Sequence, residues 1–278
     1  TVLEVPKLDE EWLRPPADPS IHSAFDRDRF LLRQKLMTVS AKYVVTDEAE
    51  RPILFVVRPA HVWKSLLGML GALLIFLVTF FMALAFSIVV VDKIQPPWLG
   101  ATLAIIAFIF TIFLTTVAVV VFSPKRHIYF YPDETEGELL LQVQQDKKFQ
   151  PITTTYTVLT PSGELLARLK KNHLYNFFRK QWHVLDASDQ LVLIAREDSL
   201  VLSLLRRFLG PLFGFLRTNF IFCIPRPGSK DEEIRGEFNR KFTLFDRYVL
   251  DMSRDRSRLI DRRIAVALGV MLDTGENR

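Results

Sequence analysis

The stretch that decides the fold is DRRIAVALGVMLDTG, Asp261–Gly275. Nine consecutive apolar residues, Ile264 to Leu272, lie between three charges and an acidic turn. A helical bilayer crossing needs about 20 apolar residues, so this run is too short to span. It is also too uniformly apolar for one face of a surface helix. Something other than lipid must surround it. A core helix on an open sheet and a helix enclosed by strands both satisfy that requirement.

Working back from there, the rest of the chain divides by hydropathy. Of 36 Lys and Arg and 31 Asp and Glu, only Asp92 and Lys93 fall between Ser65 and Phe122. The uncharged runs Ser65–Val91 and Leu99–Phe122 hold 27 and 24 residues, and DKIQPPW (Asp92–Trp98) joins them. Each run is long enough to cross a bilayer with room for tilt. A seven-residue link forces a tight hairpin, which returns both flanks to one side. Those flanks carry Arg51, Arg58 and Lys64 before and Lys125 and Arg126 after, whereas the turn sets one Lys beside one Asp. The positive-inside rule therefore places both flanks, both termini and the folded part in the cytoplasm, at the inner membrane if the cell is bacterial. Trp63 and Trp98 occupy positions suited to interfacial anchors.

Residues 1–25 are proline-rich and acidic and lack periodicity; such a tail is ordered only where a partner or the chain's own domain ties it down. No charged, apolar and small-residue sequence of the secretory kind precedes residue 60, so a signal peptide is not expected. A single cysteine, Cys223, excludes an internal disulfide and suits a reducing compartment. The net charge of +5 is dispersed and gives no nucleic-acid footprint.

Outside the hairpin the chain reads as paired strands. Lys42–Pro59, His127–Val143, Thr154–Lys171 and Arg179–Glu197 each set β-branched and aromatic residues on both sides of an acidic or Pro-Ser-Gly turn. Gly236–Ser253 adds further strands. Regular short strands with turn formers between them indicate an antiparallel sheet, sandwich or barrel. Strand pairs of one kind on either side of the hairpin make it an insertion at 61–124 into a β domain formed by 26–60 and 125–278. Ser199–Ile224 is long and apolar, but Arg206, Arg207 and Arg217 argue against a third span. One central arginine costs about 2.5–3.5 kcal/mol even on lenient insertion scales. Ser199–Leu209 is expected to be a short helix, against the barrel or in the headgroup layer, and Asn219–Ile224 a strand.

Three segments carry a resemblance: FLLRQKLMTVSAKYVVTDE (Phe30–Glu48), KFTLFDRYVLDMS (Lys241–Ser253) and IDRRIAVALGVMLD (Ile260–Asp273). Together they resemble the LURP-one-related, phospholipid scramblase and tubby-like superfamily over most of residues 26–275 outside the hairpin. The resemblance implies a mainly β fold, a closed twelve-stranded antiparallel barrel with a hydrophobic helix, about 260–273, through its centre. Ile264, Val266, Leu268, Val270 and Leu272 would then fill the barrel. Ala265, Ala267 and Gly269 would be small because strands crowd them, and Arg262 and Arg263 would emerge at the mouth. Two departures stand out. Scramblases carry an acidic calcium segment before the last helix, but DMSRDRSRLIDRR (Asp251–Arg263) has more Arg than Asp and poor calcium-loop spacing. They also lack an inserted hairpin near the N-terminus.

No catalytic, cofactor-binding or metal-binding residue is expected. The five histidines, His22, His61, His127, His173 and His183, show no ligand spacing, and no nucleophile elbow, P-loop or dinucleotide fingerprint is present. Cys223 reads as a buried inert thiol, and Asp133–Glu138 as a solvated hairpin tip. The spans hold Ser and Thr but no ionisable group, which marks an anchor more than a conduction path. Gly68, Gly71, Ala72, Gly100 and Ala101 would permit close helix contact. Lys64, Lys125, Arg126, Arg206 and Arg207 are the candidates for lipid headgroups, worth about 1 kcal/mol each near an anionic leaflet. The expected function is a membrane-anchored, non-catalytic accessory or scaffold subunit of a larger membrane complex, bound through hairpin and tail. The alternative is anionic phospholipid binding or scramblase-like lipid handling.

Overall fold

The computed structural model describes residues 21–35, 41–59, 61–94, 96–175, 179–198, 219–225, 232–241 and 247–275. The expected helix at Ser199–Leu209, with Arg206 and Arg207, lies outside these residues, as does the tail up to residue 20. The described chain forms two compact units: a β unit, and a helical unit of Ala60–Lys125 with Lys147–Phe149.

In the β unit, β1 (Arg29–Lys35), β2 (Ala41–Thr46) and β3 (Pro52–Arg58) precede the hairpin. After it come β4 (His127–Tyr131), β5 (Leu141–Gln145), β6 (Thr153–Leu159), β7 (Leu165–Asn172), β8 (Gln181–Leu185) and β9 (Leu191–Glu197). The last strands are β10 (Phe220–Pro225), β11 (Glu232–Lys241) and β12 (Arg247–Asp251), followed by a helix, Arg262–Gly275. Each strand pairs antiparallel with its neighbours in sequence, and β12 returns to β1, so the barrel is closed. Closure leaves no exposed sheet edge.

Alternation of side chains sets the register. Buried residues pair with buried residues around the wall: Phe30 with Leu250, Leu250 with Phe238, Phe238 with Phe220. On the other side, Val56 faces Phe130, Phe130 faces Leu141, and Leu169 faces Val184. A one-residue slip in any strand would turn this apolar set outward.

Three of the turns share one construction. The N–H groups of Asp47, Thr160 and Asp186 each donate to the carbonyl of the residue four places on, their carbonyls accept from the residue three places on, and their side chains accept the N–H of the residue four places on. The fourth position, Glu50, Gly163 or Asp189, has positive φ. Only at Gly163 does the residue type suit that conformation without cost. These turns also store pH-sensitive stability. The Asp47 carboxyl is held below its usual range by hydrogen bonds from Arg51, and that of Asp189 by Arg168. For Asp251, burial pulls upward, but Ser253 and Arg29 outweigh it and hold the carboxyl low. Depressed carboxyls stabilise the fold above the unfolded-chain value of about 3.9 and lose that contribution as pH falls through their folded values. Thermal midpoints measured against pH are expected to drop below about pH 4, with a shallower drop in Asp47→Asn.

The helical unit consists of α1 (Val62–Lys93) and α2 (Pro97–Phe122). Both are long and apolar enough to cross a membrane. α1 extends its uncharged run by Val62–Lys64 and Asp92–Lys93, and α2 extends its own by Pro97 and Trp98. Small residues are buried between them: Gly68, Ala72 and Ala83 on α1, Gly100 and Ala118 on α2. A Cβ on Gly68 would lie 2.8 Å from that of Phe122, and one on Gly100 would lie 3.0 Å from the Val90 carbonyl oxygen. The Thr111 hydroxyl donates across the pair to the Thr79 carbonyl at 3.3 Å. Gly68→Leu is expected to weaken helix pairing by about 1–3 kcal/mol. Thiol cross-linking between cysteines placed at 79 and 111 should fall while barrel unfolding stays unchanged.

Candidate functional site

The site is built around the C-terminal helix, α3 (Arg262–Gly275). Asp261 caps its start: the side chain accepts the Arg263 N–H at 2.8 Å and the carbonyl accepts that of Ala265 at 3.0 Å. The helix begins two residues later than the sequence suggested, because Asp255 holds the Leu259 and Ile260 N–H groups in a preceding turn.

Of the residues expected to fill the barrel, Val266, Leu268 and Val270 are fully buried, Leu272 is 2% exposed, and Ile264 is partly buried against the core. Ala265 and Ala267 are also fully buried. A Cβ on Gly269 would sit 3.2 Å from the Phe238 ring and 3.8 Å from Leu32, on β11 and β1. The helix also lies close to β7, across the barrel from β1. It therefore runs through the lumen and leaves it filled.

The ends of α3 differ from the expectation that a strand-wrapped helix is apolar throughout. Arg262 does not emerge at the mouth. Its side chain is 5% exposed and binds Asp28 at 2.9 Å and Asp255 at 2.8 Å, the latter 0% exposed. It also donates to the carbonyls of Ile260, Met252 and Asp255. Arg263 turns back onto Asp261 at 2.6 Å. Arg258 binds Asp26, and Ala24 and Phe25 join the core. So the described end of the tail, 21–25, docks on the chain's own barrel. Asp255, in the Asp251–Arg263 segment, directs its oxygens to the N–H groups of Leu259 and Ile260 and to Arg262. Among the described residues no group of three or more His, Cys, Asp or Glu is placed to hold a metal ion.

At the other end of the barrel β3 finishes and β4 begins; the hairpin departs here. Arg58 and Arg126 line a shallow cleft with Ile128, Tyr156, Met271 and Thr274 of the helix's last turn. Burial, and then the neighbouring Arg126 charge, lower the Arg58 guanidinium from its ordinary value. Two cations here complement the negative end of the helix dipole. The Tyr43 hydroxyl donates to Asp273 at 2.7 Å, and burial, followed by the Asp273 charge, raises its phenol. Burial likewise raises Tyr156. Arg58 and Arg126 thus give the mouth a pair of cations, while the Tyr43 hydroxyl is committed to Asp273.

The candidate headgroup contacts divide between the units. Arg126 is exposed at the barrel mouth beside Arg58. Lys64 and Lys125 are exposed in the helical unit, at one end of the hairpin, since Gly68 meets Phe122 there. Two cations were missed. Arg58 is in phase with Leu54 and Val56, a spacing that would have turned it inward. Lys148 donates to the Val121 carbonyl at 2.7 Å, satisfying an α2 terminus; nothing in its local sequence signals that contact. Elsewhere, Cys223 is buried and its thiol is pushed up by that burial. Burial lowers His183, which bonds Gln181 at 3.0 Å.

Comparison with models of known families, with curated proteins and with solved structures finds no match.

Proposed function

We propose that this chain is a membrane-anchored, non-catalytic accessory or scaffold subunit. In this reading the hairpin crosses the membrane twice and holds the barrel and both termini on the cytoplasmic side, at the inner membrane in a bacterium. Hairpin, tail and barrel surface attach to a larger integral-membrane complex. The observation that carries the reading is the filled lumen: Ala265 to Val270 occupy the space in which a barrel would hold a small molecule. Surfaces are what remain for function. The closed barrel around α3 is also the architecture implied by the LURP-one-related, scramblase and tubby-like resemblance, and it supports placing the chain there.

Native mass spectrometry after gentle detergent extraction tests the proposal. A stoichiometric complex with other membrane proteins is expected; a monomer released from native membranes would overturn it.

The paired Arg58 and Arg126 favour a second reading, recognition of anionic phospholipid, with scramblase-like lipid movement as its stronger form. In proteoliposomes, Arg58→Gln with Arg126→Gln should abolish any preference for phosphatidylserine over phosphatidylcholine. No preference in the unaltered protein, and no transbilayer movement of labelled lipid, would end this reading.

A further inference from the structure

We propose that Ile21–Asp28 is a strap that fastens α3 inside the barrel and governs the opening of that helix separately from the opening of the wall. Every group involved belongs to the β unit, so the inference stands apart from the membrane and subunit readings.

β1 begins and β12 ends at one end of the barrel, where Arg29 pairs with Asp251. Residues 252–261 lead from there to Arg262, so α3 enters the lumen through this end. Its last turn lies beside Arg58 and Ile128 at the other. With its first turn tethered so closely to β12, the helix can leave only by the way it came in. The ladders of the wall do not hold it: among the described residues no backbone hydrogen bond joins α3 to a strand. Its grip is side-chain packing, with the Tyr43–Asp273 bond at one end and the Arg262 pairs at the other. An element that shares no ladder with its surroundings is a natural unit of local opening.

The strap is fastened at that entrance. His22 Nδ1 accepts the Ala24 N–H at 3.2 Å and the His22 carbonyl accepts that of Phe25 at 2.9 Å, which fixes a single turn at Ser23–Phe25. The turn delivers Phe25, 1% exposed, and Ala24 into the core. Three carboxylate–arginine pairs follow in consecutive residues. Asp26 pairs with Arg258 on the connector, Arg27 with Asp47 of the β2–β3 turn at 3.3 Å, and Asp28 with Arg262 on the first turn of α3 at 2.9 Å. The Asp28 carbonyl also accepts the Met252 N–H at 2.7 Å. Arg258 has a positive φ of 50°, disfavoured for a residue with a Cβ, and its pair with Asp26 offsets that strain. One contact thus ties the strap to the wall, and two tie it to the parts that would have to move. With the strap docked, α3 backs out only by breaking these charge pairs. With it released, packing alone retains the helix.

The test uses the full chain in nanodiscs and follows amide hydrogen exchange by mass spectrometry in peptides from α3 and from β6 and β7. Asp26→Asn with Arg258→Gln releases a partly exposed pair, 37% and 17%, and leaves the Arg262 cluster intact. Exchange over Ala265–Leu272 is expected to rise several-fold, with β6 and β7 unchanged. The converse arm carries Asp26→Cys and Arg258→Cys in a Cys223→Ser background, bridged by a short bis-maleimide. Bridging is expected to slow exchange in α3 several-fold relative to the same chain unbridged, again with β6 and β7 unchanged. Equal shifts in α3 and in β6 and β7 would overturn the proposal, because the strap would then act only on the stability of the whole barrel. So would α3 exchange that responds to neither change. Should the neutralised chain fail to fold, the bridged chain decides by the same comparison.

Discussion

Replacing Arg262 with alanine is expected to destabilise the barrel by about 3–5 kcal/mol, a large part of a typical domain's 5–15 kcal/mol. The side chain has nowhere to be replaced by water. It is 5% exposed, it faces the fully buried Asp255 and the mostly buried Asp28, and three carbonyls accept from it. Removing it leaves a buried carboxylate without its countercharge and carbonyls without donors. Urea midpoints would register the loss. Arg262→Lys should recover only part of it, because one ammonium cannot reproduce a planar fork that bonds two carboxylates and the backbone. Pairing Arg262→Ala with Asp255→Asn should cost less than the sum of the two single changes, since the orphaned charge is removed with its partner.

Leu268→Ala is the second large effect, about 2–5 kcal/mol, because the side chain is wholly enclosed and the cavity it leaves has walls of sheet that cannot collapse freely. Leu259→Ala, nine residues earlier and 63% exposed, is expected to change stability by no more than about 0.5 kcal/mol. Urea unfolding of the two variants side by side checks the contrast. Equal, small effects would mean that the helix packs loosely or elsewhere. Cross-linking within the hairpin should be the same in both.

How much of this was legible in the sequence depends on the scale of the interaction. The two long apolar helices were plain, because uncharged runs of 27 and 24 residues stand out in the sequence. Strand pairs were visible through their turns, yet closure was not: it depends on β1 meeting β12, over two hundred residues apart, and came only from the resemblance. The apolar interior of α3 was readable from Ile264 to Leu272, whereas its ends were misjudged. Arg262 looks like a solvent-facing cation until folding brings Asp28, 234 residues away, to 2.9 Å. The positive-φ positions at Glu50 and Asp189 carry no glycine to announce them. At the barrel mouth Arg126 was found by its nearness to the span, but Arg58 was noted only as a flanking charge.

The most direct test of the central claim, that the barrel is closed around the chain's own C-terminal helix, is the modification rate of a cysteine at Ala267 in a Cys223→Ser background. The full chain in nanodiscs is treated with a water-soluble and a bilayer-soluble maleimide. Both reactions are expected to be slow and to accelerate only when urea unfolds the barrel. Rapid native-state modification by either reagent, from the water or from the lipid, would contradict the account.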